Sequence, residues 1–162
     1  MTMSRVACCA LLLASWCLVA APADADDYKA GSLTIRHPWA RPTVASMANG
    51  AVYMAVLGDQ GARDRLVSAS TPVAGQVEFH TSTTENGIAR MRQLDAVDVP
   101  SVLEPSGTHL MLVTLKTQLA MDEPFPLRLV FEKAGPVDVT VSVQRAPASD
   151  HDDASPPAHS GH

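Results

Sequence analysis

At 162 residues, with 46% hydrophobic side chains and a formal charge of −5, the chain has the composition of one globular domain with extensions. The excess of acid argues against a surface for nucleic acid or for anionic membranes. Aromatic residues make up only 4%, so a core has to be built mainly from Val, Leu, Ala and Met.

Residues 1–25 read as a secretory signal peptide. Arg5 is the positive start, Val6 to Ala21 is uncharged and largely apolar, and Ala23-Asp24-Ala25 puts small residues where a signal peptidase reads them. A cut after Ala21 is the alternative. The apolar run falls short of the usual spanning length, so the expectation is an exported, periplasmic protein with no stable membrane insertion after cleavage. Bulky Trp16 before Cys17 makes a poor lipid-attachment box. Cys8, Cys9 and Cys17 all lie inside the signal, which leaves the processed chain without thiol or disulfide. Cysteine nucleophiles, zinc ribbons and blue-copper sites are thereby excluded.

Residues 26 to about 32 read as a polar lead-in. Leu33 to Arg36 is a strand candidate that Pro38 ends or interrupts. Trp39 is expected as a core anchor. Asn49-Gly50 signals a turn before the buried strand Ala51 to Leu57, and Gly58 to Gly61 is the next turn. Leu66 to Ser70 follows. Gln76 to Ser82 alternates, with Val77 and Phe79 on one face and Glu78 and His80 on the other. Glu85-Asn86-Gly87 is a hairpin signal leading into Ile88 to Arg92. Further strands are predicted at Leu94 to Val99, His109 to Lys116, Leu127 to Phe131 and Val137 to Val143. No window holds a sustained helical stripe. Short strands at near-regular spacing predict an all-β sandwich or barrel over residues 30–145. From Ala146 to His162 the chain is rich in Pro, Ala, Ser, Asp and His, and a disordered tail is expected there.

Two histidines and two methionines stand out between residues 78 and 111. His109 and Met111 leave one face of a predicted strand about 7 Å apart. His80 lies on the polar face of its own strand, and Met91 follows across the Asn86-Gly87 turn, where a hairpin brings it back toward His80. Soft thioethers select Cu(I), and imidazole suits copper in general. Taken singly, Met111 reads as core filler and His80 as a solvated side chain. Taken together, in an exported chain without thiols, the four read either as a two-imidazole, two-thioether copper site, if they converge, or as ordinary packing and surface residues. Zinc prefers carboxylate or thiolate company. The tail adds His151, His159 and His162 beside Asp150, Asp152 and Asp153. That set reads either as an auxiliary Cu(II) site or as a soluble polar tail. There is no Gly-x-Ser-x-Gly elbow, no phosphate loop and no His-Glu-x-x-His, and no enzymatic activity is expected.

Over residues 33–143 the chain resembles the periplasmic copper chaperones called the PCu(A)C family. The resemblance rests on Trp39-Ala40-Arg41-Pro42, Val52-Tyr53-Met54, Asp64-Arg65-Leu66-Val67, Val77-Glu78-Phe79-His80, Met91-Arg92, Val99-Pro100, His109-Leu110-Met111 and Phe131-Glu132-Lys133-Ala134-Gly135. The family motif is His, ten residues, Met, about twenty-one residues, then His-x-Met. His80 and Met91 keep the first spacing, with ten residues between them, whereas only seventeen separate Met91 from His109. The shortening falls in Pro100 to Thr108. The resemblance implies a cupredoxin-like Greek-key β-sandwich holding Cu(I) through His80, Met91, His109 and Met111. It further implies delivery of copper to the CuA subunit of cytochrome c oxidase or to a thiol-containing assembly protein. The alternatives are a copper scavenging or tolerance protein with no dedicated acceptor, and a β-sandwich interaction module that binds no metal.

Overall fold

A computed structural model describes residues 27–146. The expected signal peptide and the tail histidines His151, His159 and His162 lie outside the described residues. Within them run β1 (Tyr28–Ala30), β2 (Leu33–Ala40), β3 (Asn49–Gly58), β4 (Asp64–Ser70), β5 (Ala74–Glu85) and β6 (Ile88–Leu94). They are followed by β7 (Val97–Val99), β8 (Ser101–Leu103), β9 (Thr108–Leu115), β10 (Phe125–Phe131) and β11 (Gly135–Val143). A 3₁₀ turn covers Asp59–Gly61, and there is no α-helix among the described residues.

The fold is a cupredoxin-like β-sandwich. One layer runs β6-β5-β9-β3-β2, with β1 added to β2 and β8 to β3; the other runs β11-β10-β4-β7. The layers join where the end of β11 pairs in parallel with β2, Ser142 opposite Trp39 and Val143 opposite Ala40. Strict alternation drives the closure. On β10, Phe125, Leu127, Leu129 and Phe131 point inward; on β9, Leu110 and Leu112 do, and all are buried in one apolar cluster. The opposite faces turn to solvent, where Arg128 pairs with Asp138 through two hydrogen bonds of 2.7 and 2.8 Å.

Several local expectations change. The lead-in contains β1, which pairs with β2. Asn49-Gly50 opens β3 instead of making a turn. A Cβ at Gly50 would stand 3.1 Å from Leu119 Cδ1, so glycine here admits a close neighbour. Pro38 interrupts β2 without ending it. His37 takes φ 47°, and the β2–β3 register slips one residue between Arg36 and Trp39. This bulge reverses the alternation. Leu33 and Ile35 face the core, but Trp39 turns to the outer face beside Tyr53. The expected core anchor is buried outside the core cluster, at 8% exposure.

Asp64, at the head of β4, is buried and ties the two loops beside it together. Burial pushes its carboxyl up, but the N–H groups of Ala134, Arg65 and Lys133, together with the Lys133 charge, hold it below the ordinary carboxylate value. These N–H groups stand 2.8, 2.7 and 2.9 Å from its oxygens. A depressed folded pKa contributes stability that is present above the unfolded value of about 3.9 and is lost as pH falls through the folded value. Asp64→Asn is therefore expected to lower stability at neutral pH by about 1–3 kcal/mol and to flatten the acid limb. Urea midpoints between pH 7 and pH 2 check this, and an unaltered acid limb in the variant speaks against it.

Candidate metal centre

The outer face of the larger layer carries a row of aromatic rings running across its strands. β5 and β9 are antiparallel with His80 directly opposite His109, and the two ring centroids are 6.2 Å apart. Tyr53 on β3 lies 6.2 Å beyond His109, and Trp39 on β2 lies 4.7 Å beyond Tyr53. The indole and phenol wall off His109, which is 4% exposed although it faces away from the core. Burial pushes the Tyr53 hydroxyl up, with the Arg41 charge drawing it partly back, so Tyr53 stays a neutral phenol.

The backbone excursion between β8 and β9 orients His109. β3 pairs with β9 over Asn49–Val52 and with β8 over Met54–Val56. The two short strands thus lie end to end along one edge, and residues 104–107 form the step between them. Glu104 and Thr108 close that step with a 2.8 Å backbone bond. Its Gly107 carbonyl accepts the Ser82 N–H at 3.1 Å and His109 Nδ1–H at 3.1 Å. A carbonyl only accepts, so Nδ1 carries the proton and the lone pair of the neutral ring sits on Nε2. The shortened interval after Met91 is accommodated here, and it leaves His109 opposite His80.

His80 is held from the other side. Its Nε2 is 2.8 Å from Glu78 Oε2, and Gln76 donates its amide to Glu78 Oε1 at 2.7 Å. The remaining ring nitrogen, Nδ1, is buried and has no hydrogen-bond partner. An unpartnered buried acceptor costs about 1–3 kcal/mol unless something binds it, and its lone pair is of a kind that a metal ion would satisfy.

Met111 lies two residues beyond His109 on the same face, opposite Glu78 on β5 and Ala51 on β3. Met91 sits on β6 opposite Ser82, one diagonal step from His80, and is 55% exposed. A diagonal neighbour is about 7 Å away, within reach of a long side chain. The structure thus puts all four sequence-predicted residues on one sheet face, with His80 and His109 as direct partners and Met91 outermost. Among the described residues no three His, Cys, Asp or Glu side chains are grouped to hold an ion. The other metal-competent side chains on this face are the thioethers of Met91 and Met111. Glu78, Tyr53, Trp39 and Gly107 escape a reading of the sequence for site residues. Only Glu78 leaves a signal there, two residues before His80 on the same strand face. A groove of about 570 Å³ beyond Trp39, lined in part by Leu57, Val102 and Glu104, contains none of the four sequence-predicted residues.

Comparison with known proteins agrees with this architecture. The copper-bound PCuAC domain from PmoF2 superimposes with a TM-score of 0.63 at 27% identity, covering 74% of this chain and 97% of that one. The solution structure of CuI-DR1885 from Deinococcus radiodurans shares the fold, with a TM-score of 0.55 at 24% identity over 67% of this chain and 76% of that one. Uncharacterized protein RP573 of Rickettsia prowazekii (strain Madrid E) is 25% identical over 103 residues, or 59% of this chain. The match spans only 57% of that relative's length. Residues 33–143 match the model of the LpqE-like lipoproteins, which is more than half of the chain, and the chain belongs to the LpqE-like family.

Proposed function

We propose that this protein is an extracytoplasmic copper chaperone that carries Cu(I) on His80, His109, Met111 and Met91. The observation that carries the reading is the facing imidazole pair, His80 with a buried, unpartnered Nδ1 and His109 with a free Nε2. Thioethers share that face. The likeness to a copper-bound PCuAC domain at 27% identity supports the choice of metal, and the lipoprotein designation of the family supports export. Neutral donors leave the charge of Cu(I) unbalanced and hold it through soft sulfur and imidazole alone. A thiolate-bearing acceptor, such as the CuA subunit of cytochrome c oxidase or a thiol-containing assembly protein, can then take the ion ligand by ligand. Protonated imidazole has no lone pair to give, so acid competes with the metal. The tail histidines His151, His159 and His162 extend the proposal to a second, Cu(II) site.

Competition with a chromophoric Cu(I) chelator tests the reading. One tight equivalent per chain is expected, reduced in a Met91→Ala, His109→Ala double variant and passed on to a dithiol acceptor. A chain that takes up no stoichiometric Cu(I), or a double variant as tight as wild type, sinks the assignment.

A further inference from the structure

We infer that Glu78 is a positioning residue that decides which nitrogen of His80 meets the metal. A carboxylate oxygen only accepts, so the 2.8 Å contact fixes the His80 proton on Nε2 and leaves the lone pair on Nδ1. That nitrogen is the buried ring atom with no partner. Glu78 is itself fixed: Gln76 occupies its other oxygen at 2.7 Å, and Glu78 and His80 keep only 21% and 15% of their side-chain surface exposed. His109 is locked the opposite way, with its proton on Nδ1 toward the Gly107 carbonyl. The two imidazoles thus present unlike nitrogens, Nδ1 from His80 and Nε2 from His109. This difference fits their placement. The rings are tilted by 40°, and each is tethered by an acceptor on its own strand or at its mouth, Glu78 two residues before His80 and Gly107 two residues before His109. A carboxylate behind a ligating imidazole also raises the basicity of the ligating nitrogen, and losing such a partner typically costs about 10–100-fold in metal affinity.

The inference rests on the copper reading, and its test separates the two. In the ¹⁵N-labelled full chain without metal, long-range ¹H–¹⁵N correlations are expected to show His80 as the Nε2–H form, with that proton protected from exchange, and His109 as the Nδ1–H form. Addition of Cu(I) should then move His80 Nδ1 and His109 Nε2. Glu78→Ala is expected to expose the His80 Nε2 proton to exchange and to weaken Cu(I) by about 10–100-fold, while Glu78→Gln, which keeps an acceptor oxygen, restores most of both. A wild-type spectrum with the His80 proton on Nδ1, or Cu(I) perturbing Nε2 of His80, overturns the inference without recourse to any variant. Tight Cu(I) uptake that is indifferent to Glu78→Ala overturns it alone. A wild-type chain that takes up no Cu(I) overturns the functional reading and, with it, the ligand role of Nδ1.

Discussion

Replacing His109 by alanine should weaken Cu(I) binding by about a thousandfold, or roughly 4 kcal/mol. That exceeds the 10–100-fold typical of losing an outer partner, because the proposed function makes His109 a direct donor and it is the least accessible of the set. It is 4% exposed, packed beside Tyr53, which in turn stacks near Trp39. Met91 stands at the other extreme, at 55% exposure on the outermost strand. Its loss should cost only about tenfold, or roughly 1.4 kcal/mol, since solvent or an incoming sulfur reaches the vacated position. Chelator competition on the two single variants measures both. Equal losses at positions 91 and 109 would show that the exposure gradient has no energetic meaning. Under the proposed function, the same gradient would release the outermost thioether first and His109 last.

The second large effect concerns the same strand seen from its other side. Leu110 lies between His109 and Met111, is fully buried, and points into the core opposite Phe79. Leu110→Ala should cost about 3 kcal/mol, since removing buried methyl groups leaves a cavity that the sheet closes only partly. For a domain of this size the melting temperature should fall by on the order of 10 °C. Copper affinity measured well below that temperature should change less than twofold, because His109 and Met111 stay on the untouched face. Thermal denaturation paired with chelator competition separates the two readouts. A variant that melts normally, or one that stays folded but loses copper, contradicts the division of β9 into a core side and a ligand side.

Strand alternation makes much of the site legible in the amino-acid sequence itself. Val77 and Phe79 against Glu78 and His80, and His109 and Met111 against Leu110, state their faces in plain periodicity. Asn86-Gly87 signals its hairpin because both residues adopt positive φ, 52° and 77°, which few other pairs tolerate. Features that depend on partners distant in sequence stay hidden. Trp39 shares odd numbering with the inward Leu33 and Ile35, and only the slip at His37-Pro38 turns it outward. Nothing local to Ser101–Leu103 marks a strand; β8 exists because the edge of β3 beyond β9 needs hydrogen-bond partners. Asn49-Gly50 has the chemistry of a turn, but both residues pair with Val113 and Leu112 of β9, and Leu119 packs where a side chain at position 50 would otherwise stand.

The tight Asn86-Gly87 turn converts ligand spacing into a counting rule. Glu85 faces Ile88 across it, and every later pair is set from there: Ser82 with Met91, His80 with Gln93. A one-residue slip of β6 against β5 would move Met91 to the opposite side of the sheet, away from both imidazoles. A slip of two would keep its side but carry it further along the ladder. With a two-residue turn, the ten-residue interval between His80 and Met91 is thus set by parity as well as by length.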